Sequence, residues 1–209
     1  MSNNDLSLTH LLNPAPGKIQ LVVGFDQDLN SRVLRKLIQL QFSLNKSVLV
    51  LNCGSDRRAD FCDNRMQLSS ISTTTEAREK ITDFVKDHVD PIIIFDSFEC
   101  INNGMEARWK SARLLQNIGK ELNFPTLIFM TLLMPKPHRI YPNLVITPTV
   151  ADEIPTLAYI RYQGNLDDVY DGVYYARCID RENEIVTIEI LKSRMASFGT
   201  CRWNLNESR

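Results

Sequence analysis

Short apolar runs rich in β-branched residues alternate along the chain with longer stretches in which apolar residues recur at helical spacing. Buried strands are predicted at residues 19–24 (IQLVVG), 47–52 (SVLVLN), 91–96 (PIIIFD) and 126–133 (TLIFMTLL). Helices are predicted at residues 30–44, from Thr73 or Thr74 through Val85, and at residues 105–122. Strands that alternate with helices indicate an α/β fold with a mainly parallel sheet flanked by helices.

The pattern changes after residue 133. Five of the nine prolines fall within residues 134–155, which excludes a helix or a central strand there and predicts a long loop. The last part of the chain alternates as β-strands at residues 156–162, 173–180, 184–191 and 200–205, with a tight turn at 181–183. We therefore expect residues 1–16 to form an N-terminal extension and residues 17–209 a single domain whose sheet ends in antiparallel strands.

Composition is typical of a folded globular protein. Of the 209 residues, 44% are hydrophobic and 23% are charged, and the longest apolar run is less than half of the ~20 residues that a membrane-spanning helix needs. The 24 basic and 25 acidic side chains leave a formal charge of −1. A broad basic field is therefore absent, so any contact with nucleic acid must be a local patch. No membrane association is expected.

The cysteines favour neither disulfides nor zinc. There are five, widely scattered, without a C-x-x-C pair and without a histidine at ligand spacing. Reduced thiols are typical of proteins inside cells, and the N-terminus lacks the basic and apolar regions of an export signal. We expect an intracellular, cytoplasmic protein, or a nuclear one if the host is eukaryotic, with no metal and no cofactor.

A degenerate phosphate-binding motif follows the first predicted strand. Residues 24–31 (GFDQDLNS) occupy the place of a P-loop, G-x-x-x-x-G-K-[ST], between a strand and a helix. Gly24 matches the first glycine and Ser31 the hydroxyl residue, but Leu29 replaces the second glycine and Asn30 the lysine. Because the backbone N–H groups and the lysine are what hold the phosphates, we expect no working phosphate cradle.

Three acidic residues lie in or near this motif, and one of them, Asp96, has two possible roles. Asp26 and Asp28 lie inside the loop, where their charges would face a triphosphate. Asp96 closes the hydrophobic strand PIIIF and matches a Walker B acid, which delivers one carboxylate to Mg²⁺. An acid that merely ends a buried strand and caps the next turn fits Asp96 equally well.

The end of the chain resembles a known family. Residues 188–194 (IEILKSR) and 199–203 (GTCRW) resemble the last hairpin of the RecA-like core in DnaB-type replicative helicases and their RadA and RecA relatives. In that family a strand ends in K-x-R and is followed by a turn containing G-T and a closing strand. The resemblance in order and spacing covers about residues 17–205, and it implies a RecA-like P-loop NTPase core.

The resemblance also implies which parts of the family's site are lost. Residues 52–55 (NCGS), where the catalytic glutamate would follow the second strand, carry no carboxylate, and residues 131–133 (TLL) carry no glutamine at the sensor position. Asp96, Lys192 and Arg194 match their positions, and in the family the K-x-R pair acts in a neighbouring subunit's site. A solvated strand end is the alternative for Lys192 and Arg194.

These losses imply a pseudo-ATPase without catalytic residues. It would be a non-hydrolysing accessory protein of DNA replication or recombination, assembled with itself as a homo-oligomer or with an active helicase or recombinase. The proline-rich loop adds a small basic and aromatic cluster that could contact single-stranded DNA or simply be a surface loop. Its members are Lys136, His138, Arg139 and Tyr141.

Two other functions stay open. One is an unorthodox nucleotide hydrolase whose phosphate-binding lysine comes from elsewhere, with Lys18 and Lys36 the nearest candidates. The other is a purely structural partner-binding domain.

Overall fold

The computed structural model describes residues 14–54, 65–101, 105–132, 169–180, 182, 185–193 and 200–205. Its strands are β1 (Ile19–Gly24), β2 (Ser47–Asn52), β3 (Met66–Ser70), β4 (Pro91–Asp96), β5 (Thr126–Thr131), β6 (Gly172–Asp180), β7 (Ile185–Ser193) and β8 (Thr200–Asn204). Its helices are α1 (Gln27–Ser43), α2 (Thr74–Asp87), α3 (Met105–Glu121) and a 3₁₀ turn, η1 (Phe98–Cys100).

The eight described strands form one sheet in the order β3-β2-β4-β5-β1-β6-β7-β8. β1 lies in the middle and pairs in parallel with β5 on one side and with β6 on the other. β7 and β8 run antiparallel, as the sequence predicts for the end of the chain. After β1 the chain continues toward β2 on one side of β1, and after β5 it crosses to β6 on the other side of β1. The strand order therefore reverses close to the carboxyl ends of β1, β5 and β4. In open α/β sheets this is the usual position of a binding crevice.

Helices bury both faces of the sheet. α1 covers one face and packs against the buried side chains that β1, β2, β4 and β5 present on that face. The residues of α1 in this contact are Leu29, Val33, Leu34, Leu37 and Ile38. α2 and α3 cover the other face with Ala77, Ile81, Phe84, Ala112, Leu115 and Ile118. Because β1, β2, β4 and β5 are buried on both faces, they read as continuous apolar runs in the sequence.

Side chains define where α1 and α2 begin. Asp26 caps α1. Thr73 caps α2 by accepting the Glu76 N–H at 3.2 Å, and the Glu76 carboxylate accepts the Ser72 N–H at 2.7 Å. The Glu76 carboxylate thus bonds the N–H group one residue before the cap, which is a variant of the capping box, and the cap lies where the sequence predicts it, at Thr73 or Thr74.

Three features differ from the sequence predictions. α1 begins at Gln27 rather than at residue 30, because Asp26 is its cap. β3 was not predicted: it is a short, largely exposed strand at the edge of the sheet, so it lacks an apolar run. β6, the first late strand among the described residues, pairs in parallel with β1, whereas the sequence predicts antiparallel strands for this part of the chain.

Other predictions fall outside the described residues. These are the loop at 134–155, the strand at 156–162 and most of the turn at 181–183. None of the described helices is long and apolar enough to cross a bilayer.

Candidate functional site

The candidate site lies at the carboxyl edge of β1, β5 and β4. Gly24, Thr131 and Asp96 end these three neighbouring strands. Since β5 alone separates β1 from β4, Gly24 and Asp96 are separated laterally by two strand spacings, about 10 Å, and are also staggered along the strands. The motif after the first strand and the Walker B position are therefore brought to the same edge.

The first turn of α1 is occupied by the chain's own carboxylate. Asp26 Oδ1 accepts hydrogen bonds from the Asp28 N–H at 2.9 Å and from the Leu29 N–H at 3.1 Å. N–H groups at a helix N-terminus are the groups that bind phosphate in a P-loop. Here these two are already paired with an internal anion.

Asn30 stands where a P-loop has its lysine, and it ties α1 to β5. Its side chain is buried, with 4% exposed. Nδ2 donates to the Met130 carbonyl at 3.2 Å and to Thr131 Oγ1 at 3.3 Å. Asn30 therefore brings no positive charge to the site, and its donor group serves the fold.

The glycine of the degenerate motif is explained by the same side chain. A Cβ at residue 24 would lie 2.4 Å from Asn30 Oδ1 and 3.1 Å from the Ala176 carbonyl oxygen. Asn30 Oδ1 itself is buried and has no hydrogen-bond partner in the described part of the chain. The close approach of Asn30 thus disfavours any larger residue at position 24, independently of any phosphate.

Ser31 and Asp96 are the two residues that the sequence resemblance matches to Mg²⁺-binding positions. The Ser31 hydroxyl donates to the Gln27 carbonyl at 3.0 Å, one turn back in α1. Asp96 is buried, with 7% exposed, and its Oδ1 accepts from the Ser97 hydroxyl at 3.4 Å. The described residues contain no group of three or more histidine, cysteine or acidic side chains arranged to hold a metal ion.

A further carboxylate at this edge was missed by sequence reasoning. Glu99 lies in η1, and its Oε2 accepts the Thr131 N–H at 3.1 Å. Burial and the nearby charge of Asp96 raise the pKa of Glu99 above its ordinary value, although the bond from Thr131 acts against this. Ser97 turns the chain with φ of 55°, which directs η1 back across the end of β5. The only signal in the sequence was an acid three residues after Asp96.

Cys53 follows β2 at the same edge. Its N–H donates to the Asp96 carbonyl at 2.9 Å. Burial, reinforced by the charges of Asp96, Cys100 and Glu99, raises the pKa of the Cys53 thiol, so the thiol stays protonated and is a poor nucleophile.

The alternative phosphate-binding lysines lie elsewhere. Lys18 precedes β1, and its Nζ lies 3.2 Å from Asp171 Oδ1. It is six residues before Gly24, about 20 Å along an extended strand. Lys36 is largely buried. It lies nine residues after the start of α1, about 14 Å along the helix. Neither lysine is brought to the carboxyl edge.

The structure separates Lys192 from Asp96 within one chain. Lys192 lies near the end of β7, paired with Val173, and is half-buried. Four strand spacings, about 19 Å, separate β7 from β4. Arg194 and the loop residues Lys136, His138, Arg139 and Tyr141 lie outside the described residues.

No family model and no curated protein sequence matches the chain. Solved structures share its fold. A DnaB-like replicative helicase, described together with its interactions with primase, superposes with a TM-score of 0.71 at 12% identity over 91% of this chain. A separately solved ATPase domain gives 0.67 at 12% identity, covering 90% of this chain and 81% of that domain. The RadB recombinase gives 0.59 at 16% identity, covering 95% and 92%.

These likenesses establish the fold. The chain has a RecA-like α/β fold, which confirms the fold class that the sequence resemblance implies. The chain spans 57% of the length of the DnaB-like helicase.

Proposed function

We propose that this protein is a RecA-fold pseudo-ATPase, a non-hydrolysing accessory protein of DNA replication or recombination that acts through assembly. The observation that carries the proposal is the pairing of Asp26 with the N–H groups that begin α1. A phosphate could bind these N–H groups only by displacing the Asp26 carboxylate, whose negative charge would then still lie next to the phosphate.

Electrostatics opposes a triphosphate at this turn. Two like charges about 4 Å apart repel by about 1 kcal/mol in water and by about 4 kcal/mol near a protein surface. Asp26 and Asp28 are exposed, so water screens part of this repulsion. The loss of a helix cap adds about 1 kcal/mol. Asn30, which replaces the lysine, offers no compensating charge.

The setting in DNA replication or recombination is supported by the proteins that share the fold. One is a replicative helicase, and another is a recombinase. We propose that this chain assembles with itself or with an active protein of that fold. The loop cluster of Lys136, His138, Arg139 and Tyr141 is the candidate contact for single-stranded DNA.

Calorimetric titration with ATP and Mg²⁺ tests the proposal. We expect the protein as it exists to show neither hydrolysis nor a dissociation constant below about 10 μM, which corresponds to about 7 kcal/mol of binding free energy. A variant carrying Asp26→Gly, Leu29→Gly and Asn30→Lys should gain affinity for ATP. Asp28→Asn is the matched control, because it removes one negative charge while the Asp26 cap and Asn30 remain.

Two outcomes would contradict the proposal. One is binding of ATP by the parent protein tighter than about 10 μM. The other is turnover that disappears with Asp96→Ala.

A nucleotide hydrolase is the second candidate, and Glu99 favours it. A half-buried carboxylate with a raised pKa close to Asp96 is the kind of group that acts as a general base. If turnover is found, Glu99→Gln should abolish it while ATP binding remains. Loss of both would instead indicate that Glu99 only maintains the site's structure.

A further inference from the structure

Thr131, at the end of β5, is held from two sides. Glu99 from η1 accepts its main-chain N–H at 3.1 Å, and Asn30 from α1 donates to its hydroxyl oxygen at 3.3 Å. The Asn30 amide also donates to the Met130 carbonyl at 3.2 Å. One residue at the carboxyl edge therefore joins the segments that follow β1 and β4.

The two contacts reach across the sequence. Asn30 and Thr131 are 101 residues apart, and Glu99 and Thr131 are 32 apart. β5 lies between β1 and β4, so the segments that follow both of these strands can reach its end from opposite sides. The ladder continues past Thr131, where the Leu132 N–H donates to the Gly24 carbonyl at 2.8 Å.

Both contacts place a polar side chain where burial costs free energy. Glu99 is a half-buried carboxylate near the acidic Asp96, and Asn30 retains a buried Oδ1 without a partner among the described residues. Apolar side chains of similar size would fill the same space without desolvating a charge. Generic packing therefore does not account for this pair of polar side chains.

We propose that Asn30 and Glu99 form an internal clamp on Thr131, which fixes the end of β5 relative to β1 and β4 without a nucleotide. This inference rests on the proposed function, because in a pseudo-ATPase hydrogen bonds within the chain, and not a bound nucleotide, hold the carboxyl edge of the sheet in place. Asn30 and Glu99 are then positioning residues.

Hydrogen exchange of the Thr131 amide, measured by NMR on the full-length protein, tests the clamp. Glu99→Ala removes the acceptor, and we expect the Thr131 amide to exchange about tenfold faster or more. Glu99→Gln keeps an acceptor oxygen and should restore slow exchange. Glu106→Ala is the control, because this exposed carboxylate pairs with Lys110 on α3.

Two variants probe the second arm. Thr131→Val removes the hydroxyl oxygen but keeps the N–H group, and Asn30→Ala removes the amide. Each should accelerate exchange of the Met130 and Thr131 amides without a change at β2. If Glu99→Ala does not fold, the amide exchange rates of Thr131→Val alone test the clamp. Parental exchange rates in the folded variants would overturn the clamp.

Addition of ATP and Mg²⁺ separates the clamp from the proposed function. We expect the exchange rate of the Thr131 amide to stay unchanged. Slower exchange with ATP, together with fast exchange in Glu99→Ala, would show that the clamp exists but that the site binds nucleotide, which contradicts the pseudo-ATPase. Unchanged exchange in every variant would overturn the clamp alone.

Discussion

Glu99 carries an acidic group in a place that disfavours its charge. Burial and Asp96 raise the pKa of Glu99 above the ordinary value of 4.5, so the folded protein binds this proton more tightly than the unfolded chain. The resulting stabilisation is complete below pH 4.5 and is lost as the pH rises through the raised pKa. Because glutamine does not ionise, Glu99→Gln should become more stable relative to the parent as the pH rises through this window.

Glu76 provides a control of opposite sign. Hydrogen bonds from Ser72 lower the pKa of this exposed carboxylate, so its stabilisation is present above pH 4.5 and is lost as the pH falls. Glu76→Gln should therefore become less stable relative to the parent as the pH rises. Denaturant unfolding between about pH 3 and pH 8 measures both differences, that of Glu76 below pH 4.5 and that of Glu99 above it. A Glu99→Gln difference that does not vary with pH would show that burial does not perturb this carboxyl group.

Gly24 shows how one residue can match a motif for a different reason. A Cβ there would overlap Asn30 Oδ1, so we expect Gly24→Ala to lower the free energy of unfolding by about 1–3 kcal/mol. The penalty should be smaller in an Asn30→Ala background, where only the 3.1 Å approach to Ala176 remains. Urea unfolding of the four proteins in this double-mutant cycle measures the coupling. Equal penalties in both backgrounds would exclude Asn30 as the cause.

At the scale of elements, continuous apolar runs made β1, β2 and β4 predictable, with bounds that agree with the structure. The capping residues Thr73 and Glu76 likewise locate the start of α2. The sequence does not predict β3, because an edge strand needs no apolar run. It predicts a later start for α1 because Asp26 fits a loop charge as well as a helix cap.

The polar contacts of the site were beyond sequence reasoning for a physical reason. Asn30, Glu99 and Thr131 come together only because the strand order places β5 between β4 and β1. The spacing of residues along the chain does not contain that order. The sequence therefore predicts the strands that end at the carboxyl edge, but not the partners that Asn30 and Glu99 have there.

At the scale of the whole molecule, the sheet places Lys192 about 19 Å from the strand that carries Asp96, which is too far for action in the same site. We therefore expect Lys192 and Arg194 to act on a neighbouring subunit. The guanidinium of Arg194 can present two donors to a phosphate, and a trans-acting arginine raises phosphoryl transfer by on the order of 10³ to 10⁵. The protein should self-associate or co-purify with a RecA-fold ATPase from its host.

Stimulation of that partner tests this expectation directly. The partner's ATP hydrolysis should be faster when this protein is present, and Arg194→Ala should abolish the stimulation without changing the free energy of unfolding. Lys192→Ala should weaken it. Arg202→Ala is the control, since this exposed cation lies on the neighbouring strand β8. A strictly monomeric protein with no RecA-fold partner, or full stimulation by Arg194→Ala, would show that the K-x-R residues do not act in trans and would favour a solvated strand end.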